Sequence, residues 1–326
     1  LKLFALTFGD AETPSTHFRL HQYAQAFHEQ GVEIEHAVAK GFEDFERLRE
    51  FDIVLLQKTL LSTSRIKRIA ENSKVLVYDA DDRIWMRPGK PYGLLTSTKL
   101  NRRLAWTVRQ ADLCIAANGV IAADQRAAGA ERVEVLPMSV DTDQWNTGGR
   151  AEPDGQLTIG WSGAPRNLVF LEPLRPVLEE LLAAHSDLRF SVHCGKRPEL
   201  GDLQLTHIPY EPGREPDVVR SFDIGLLPLP DDPFVHGKSP IKALQYYACG
   251  AVVVGQDVGA TAELLEHDVT ALTVNAERSW KDCLQRLIED DGLRTRLALA
   301  GQEMIRERHS MSAVVDRYLT LLRSTL

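Results

Sequence analysis

The stretch DIGLLPLPDDPFVHGKSPIKALQYYACGAVVVG (223–255) reads as strand, loop, helix, strand. DIGLLPL (223–229) and AVVVG (251–255) are short apolar runs bounded by turn residues, the pattern of buried parallel strands. Between them Ser239 suits an N-cap and Pro240 the first helical position, where a missing N–H costs nothing and φ is already helical. Gly250 sits where the helix stops. Ile241, Leu244 and Ala248 share one face by their spacing, and Lys242, Gln245 and Cys249 share another.

The same alternation runs in both directions. LKLFALTF (1–8), VEIEHAV (32–38), DIVLLQ (52–57), KVLVYD (74–79), DLCIAA (112–117) and RVEVLP (132–137) read as strands, and HFRLHQYAQAFHEQG (17–31) as a helix ending at Gly31. After a Gly-, Asp-, Thr- and Pro-rich stretch (140–156) the pattern restarts with LTIGW (157–161), LRFSVH (188–193) and LQLTHI (203–208), with a helical segment over 168–185. Strands alternating with helices predict α/β domains with parallel sheets. A chain of 326 residues accommodates two. The expected division is residues 1–150 and 151–310. A last helix over 311–326 packs on either, with a return to the first domain as one alternative.

With 38 Lys+Arg against 46 Asp+Glu the formal net charge is −8, which disfavours a nucleic-acid partner. The cysteines, Cys114, Cys194, Cys249 and Cys283, are scattered without CxxC or CxxH spacing, so neither a zinc site nor a disulfide framework is indicated. No run of 18 or more apolar residues occurs, which implies a soluble protein.

In open parallel sheets ligands bind beyond the carboxyl ends of strands, and the loop before Ile241 is such a place. The entrance of that helix carries Lys238 and Lys242 with no acid between 233 and 255. A helix start offers unpaired N–H groups and about half a positive charge, so two ammonium groups beside it make a site for a diphosphate. The alternative is a pair of solvated surface lysines.

The segment 222–272 resembles the donor-binding region of family 4 retaining glycosyltransferases, in particular a pattern of DIG, PLPDDP, GK, K-LQY and a following VG. IGWSGAPRNLVFL (159–171), YDADDRIW (78–85), ADLCIAANGVIA (111–122) and VLPMSVDTDQW (135–145) extend the likeness in order. The resemblance implies the GT-B architecture, two Rossmann-like doubly wound domains facing a central cleft. It implies retaining transfer of a hexose-type sugar from a UDP- or GDP-linked donor to an acceptor hydroxyl, in glycan, polysaccharide or glycoconjugate assembly. No metal or other cofactor is expected, because fixed cations stabilise the departing diphosphate. The implied partners are the nucleotide sugar and a glycan, lipid-linked or small-molecule acceptor, in the cytoplasm or peripherally at the inner membrane face. A nucleotide-sugar epimerase or hydrolase, or a silent sugar-nucleotide-binding subunit, are the rivals.

On this resemblance Lys238, Lys242, Arg166 and Asp81 carry the chemistry. Gly163, His193, Gly195, Ile208, Gly237, Ser239, Pro240, Ile241, Gln245 and Glu263 surround the donor. Many relatives frame the helix with two glutamates eight positions apart, where this chain has Gly237 and Gln245, which puts a carboxylate contact to the donor sugar or ribose in doubt. His17, Arg19 and Asp82 are expected on the acceptor side. Against these stand structural readings: turn glycines, a capping Asp82 or Glu263, a structural His17, and Tyr210 covering the core.

Overall fold

The computed structural model describes residues 1–146 and 155–326, so the part of the expected linker over 147–154 lies outside the described residues. The chain divides into two compact units. The first comprises Leu1–Ser139, Asp232–Ser239 and Met311–Leu326; the second comprises Val140–Asp231 and Pro240–Ser310. The boundary near 150 therefore moves to Ser139, and the 232–239 segment, expected in the second domain, groups with the first.

Each unit is built on a six-stranded, all-parallel sheet. In the first, β1 (Lys2–Thr7), β2 (Glu33–Val38), β3 (Ile53–Gln57), β4 (Leu76–Ala80), β5 (Leu113–Ala116) and β6 (Val133–Val135) lie in the order β2-β1-β3-β4-β5-β6. In the second, β7 (Leu157–Ser162), β8 (Leu188–Cys194), β9 (Thr206–Pro209), β10 (Ile224–Leu227), β11 (Val252–Gln256) and β12 (Ala271–Val274) lie in the order β12-β11-β10-β7-β8-β9. Counted within the unit this is 6-5-4-1-2-3, the dinucleotide-fold order, whose direction reverses between β7 and β10. Both units are thus Rossmann-like. Among the described residues no helix is long and apolar enough to cross a membrane.

Departures from the sequence reading have local causes. The helix expected over 17–31 is broken into Pro14–Arg19, a 3-10 turn at His21–Tyr23 and Ala24–Glu29. That expected over 168–185 is regular only from Arg175 to Ala184, preceded by 3-10 turns at Pro165–Phe170 and Glu172–Leu174, because Pro173 and Pro176 are compatible with a helix's first turn but not its interior. β9 starts three residues later than expected, at Thr206.

The C-terminal helix, Met311–Arg323, belongs to the first unit. It buries Val314, Val315, Tyr318, Leu319 and Leu322 in a cluster with Leu3, Tyr23, Phe27 and Leu55. Its edge is tied by Gln30 Nε2 to Asp316 (2.8 Å) and by Arg323 to the Gln30 carbonyl (2.9 Å). At about 1.5–3 kcal/mol for each fully buried large apolar side chain, this helix is part of the core.

Arg19, expected to face an acceptor, is instead 1% exposed and saturated. Its Nε and Nη2 donate to Asp79 (2.9 and 2.6 Å), and Nη1 donates to the carbonyls of Leu136 (2.9 Å) and Pro137 (3.4 Å). Tyr318 donates to the same carboxylate at 3.5 Å. Burial opposes the guanidinium charge, but Asp79 outweighs it and the pKa of Arg19 is raised above its ordinary value. A buried ion stripped of its partner is strongly destabilising, whereas replacing both partners by apolar groups is often near neutral. Arg19→Met and Asp79→Leu should therefore each lower stability by about 3–5 kcal/mol, and the double variant by much less than their sum. Urea-unfolding midpoints of the four proteins measure this, and additive losses would refute it.

Candidate active site

In the second unit, four groups meet where strand order reverses. Ser162 ends β7, His193 lies near the end of β8, Glu215 opens the helix Glu215–Arg220, and Lys242 lies in the first turn of the helix Ile241–Ala248 that follows β10. Lys242 Nζ pairs with Glu215 Oε1 and lies 3.5 Å from Ser162 Oγ. Ser162 Oγ is 3.1 Å from Glu215 Oε1 and 3.1 Å from His193 Nδ1, and its backbone N–H donates to the Tyr246 hydroxyl at 2.9 Å. The pair is partly open, with side-chain exposures of 27% for Lys242 and 20% for Glu215.

Glycine makes this convergence possible. A Cβ on Gly225 of β10 would lie 2.5 Å from the Tyr246 ring, so its absence lets the ring lie on the strand while its hydroxyl reaches β7. The helix Ile241–Ala248 is buried along Ala243–Ala248, including Gln245, which the sequence placed on the same face as Lys242, and Cys249 beyond it is buried too. Gly301 of the helix Asp291–Arg308 admits the Tyr247 ring at under 3 Å from where its Cβ would stand, covering that second side.

Proton positions follow from the bonding. Burial would raise the Glu215 carboxyl, but Lys242 and the Ser162 hydroxyl more than offset this and hold it below the ordinary glutamate range. An ionised carboxylate only accepts, so Ser162 gives it the hydroxyl proton and accepts from His193 Nδ1–H. Burial lowers the pKa of His193, so its ring is neutral and Nε2 carries a lone pair, which is buried without a hydrogen-bond partner. Gln245 Oε1 is likewise buried and unpartnered.

Several expectations change. The entrance to the helix is not an acid-free cradle, because Glu215, distant in sequence, neutralises Lys242. Ser239 is not an N-cap: the helix begins at Ile241, Pro240 precedes it with ψ 51°, and the Ser239 hydroxyl donates to the Asp81 carbonyl at 2.8 Å within the first unit. Gly237 and Lys238 also count with the first unit, where the Lys238 amide donates to the Val235 carbonyl at 2.9 Å. The Gly237 carbonyl accepts from Asn118 at 3.1 Å. A side chain at 237 would begin 2.3 Å from Arg83 Cδ, and Arg83 is held by Asp124 and the Pro233 carbonyl, so this space has no room for the relatives' glutamate.

The remaining residues separate by environment. Arg166 is exposed in the turn after β7 and makes no ion pair among the described residues. Gly163 is restricted by Trp161, which a Cβ would meet at 2.5 Å, while its N–H donates to the His193 carbonyl at 3.1 Å. Gly195 is exposed, half-buried Ile208 faces His193 across the β8·β9 ladder, and Tyr210 is exposed with its ring 5.7 Å from that of His193. Half-buried Ile241 opens the helix, and exposed Glu263 closes the short helix Gly259–Ala262.

In the first unit, Asp81 and Asp82 follow β4 and are bound by a lysine that the sequence pattern does not mark. Lys58 Nζ, in a residue with φ 47° just beyond β3, donates to Ser15 Oγ (2.6 Å), Asp81 Oδ2 (3.3 Å) and Asp82. His17 is exposed and stacks edge-on against Phe18, outside this cluster. Among the described residues no group of three His, Cys, Asp or Glu side chains is placed to hold a metal ion.

This fold, with its strand-end polar cluster, is that of a protein of two Rossmann-like units. Residues 169–320 match the family described as glycosyl transferase-like. A D-inositol 3-phosphate glycosyltransferase of Xylanimonas cellulosilytica is 31% identical over 130 residues, 38% of this chain and 29% of that protein, so the similarity spans less than a third of that relative. Sucrose-phosphate synthase from Thermosynechococcus elongatus shares the fold with a TM-score of 0.75 at 13% identity, over 99% of this chain and 98% of the other. Anabaena HepE, in complex with UDP and glucose, does so with 0.68 at 15% identity, over 99% of each. The chain thus has the GT-B fold, and its residues 169–320 are similar to the glycosyl transferase-like family.

His193 should appear as the neutral Nδ1–H tautomer in imidazole 15N spectra at pH 7, titrating below the ordinary 6.5. Because its folded pKa is depressed, the unfolded chain takes up this proton first. The stability it contributes is complete above 6.5 and lost as pH falls through the folded value. The Glu215 contribution, also from a depressed pKa, persists to more acid pH, being complete above 4.5 and lost only below it. A His193 midpoint above 6.5 would contradict a neutral ring that donates through Nδ1 to Ser162.

Proposed function

We propose that the protein is a retaining glycosyltransferase that moves a hexose-type sugar from a UDP- or GDP-linked donor to an acceptor hydroxyl, in glycan, polysaccharide or glycoconjugate assembly. The observation that carries this reading is Lys242, a partly exposed ammonium in the first turn of a helix that follows β10, beside the point where strand order reverses. There the helix start and the ammonium act together on a diphosphate. The family match over 169–320 and the UDP bound by HepE support the same assignment.

The donor's diphosphate is assigned to Lys242, the Ile241 turn and the exposed Arg166 of the second unit. Lys242 has three N–H donors; Glu215 and Ser162 engage two, leaving one for a phosphate oxygen. As the bond from the anomeric carbon to the phosphate oxygen breaks, negative charge grows on the diphosphate, and fixed cations lower that barrier without a metal. The new bond forms on the same face, and the departing phosphate oxygen takes the acceptor's proton. Asp81 and Asp82, organised by Lys58 in the first unit, are assigned to the acceptor hydroxyl. Lys238 is assigned to the donor on resemblance alone.

UDP or GDP should raise the thermal unfolding temperature in the presence of EDTA. A ligand at 100 times its Kd adds roughly 2.7 kcal/mol of stability. Lys242→Ala should weaken that binding roughly 10- to 100-fold, the range for losing a charge-assisted hydrogen bond. With UDP- or GDP-sugars and an acceptor panel, product analysis should show transferred sugar with retained anomeric configuration. Donor isomerisation or free sugar as the sole product would establish the rival chemistry, and no stabilisation by any nucleoside diphosphate would remove the donor site itself.

A further inference from the structure

We infer that Glu215, which no sequence pattern singles out, is the residue through which the second unit reads a vicinal diol of its ligand. The inference rests on the nucleotide-sugar reading above and names the part of that ligand the carboxylate contacts.

The hydrogen-bond inventory is lopsided. Glu215 Oε1 is filled by Lys242 and Ser162, while Oε2 has no hydrogen-bond partner among the described residues. His193 Nε2 and Gln245 Oε1 are buried acceptors without donors. Glu215, Lys242 and His193 belong to one assembly through Ser162, whose backbone N–H donates to the Tyr246 hydroxyl. A buried acceptor left empty costs about as much as a lost hydrogen bond, so a binding partner of this cluster must bring hydrogens.

The diphosphate of a nucleotide sugar, esterified at both ends and fully ionised at neutral pH, brings none. A diphosphate accounts for the Lys242 ammonium but would be repelled by Glu215 and would leave Glu215 Oε2 and the buried His193 Nε2 without donors. Sugar hydroxyls are the complementary chemistry, and a carboxylate beside two hydroxyls is a common way for Rossmann-like units to hold ribose. One-fifth exposed, Glu215 is accessible to such a group. The pair thus divides the ligand, Lys242 for the anionic half and Glu215 for a hydroxylated half. In this chain the carboxylate comes from the segment before β10 while position 245 holds a neutral amide.

The diol belongs either to the ribose or to the transferred sugar, and ligands lacking one hydroxyl separate these sources. Calorimetric titrations on the full chain would compare wild type with Glu215→Gln and Glu215→Asp, using inorganic pyrophosphate, UDP, 2′-deoxy-UDP, UDP-glucose and its 2-deoxyglucose analogue. GDP and its analogues replace the uridine set if GDP gives the larger thermal shift. Wild type should favour one hydroxylated ligand over its deoxy counterpart by roughly tenfold or more, as expected for a hydrogen bond to a charged group. Glu215→Gln should erase that preference while pyrophosphate binds as tightly or more tightly, since Lys242 loses its counter-charge. Glu215→Asp should retain part of the preference.

Loss of discrimination within the UDP pair identifies ribose; loss within the UDP-glucose pair identifies the transferred sugar. Equal shifts for hydroxylated and deoxy ligands, leaving both ratios as in wild type, would overturn the inference and make Glu215 only the counterion of Lys242. If wild type binds neither pyrophosphate nor either nucleotide, the donor assignment itself falls, an outcome distinct from an unchanged ratio.

Discussion

Every ladder in both sheets is parallel, so each unit delivers the carboxyl ends of its strands to one edge. Strand ends there leave backbone groups and polar side chains that neither sheet nor core can satisfy, and they must be paired with one another or with a ligand. Both polar clusters lie at such ends: Lys58 with Asp81 and Asp82 beyond β3 and β4, and Ser162, His193, Glu215 and Lys242 around the reversal between β7 and β10. Chain direction alone accounts for their location.

The two units use buried charge differently. Arg19 and Asp79 are nearly inaccessible, and every arginine nitrogen has an acceptor; with no capacity left, the pair fixes a helix, a strand, a carbonyl turn and the C-terminal helix to one another. Lys242 and Glu215 are partly open and keep a donor and an acceptor oxygen in reserve. Similar ion pairs thus serve opposite ends, because saturation and exposure, rather than charge, decide whether a group can meet a ligand.

Departures from the related pattern are locally compensated. Gly237 is small because Arg83 fills the adjoining volume, pinned by Asp124, so the position belongs to packing within the first unit. Gln245 is buried by neighbouring side chains, and the carboxylate near this helix is Glu215, thirty residues earlier in the chain.

Sequence alone determined the alternation of strands and helices, since buried parallel strands are short apolar runs whose meaning is local. It located eleven of the twelve strands among the described residues; β12, the four-residue ALTV at 271–274, lacked a distinctive boundary. It also marked Asp81 and Asp82 just after β4, His193 near the end of β8, and Lys242 in the helix that follows β10. Tertiary structure alone decided which of these have partners. The sequence reading did not single out Glu215 or Lys58, and it expected Arg19 on the acceptor side. Their pairing joins residues 27, 23 and 60 positions apart, and a local pattern carries no information about which distant side chain will share a strand end.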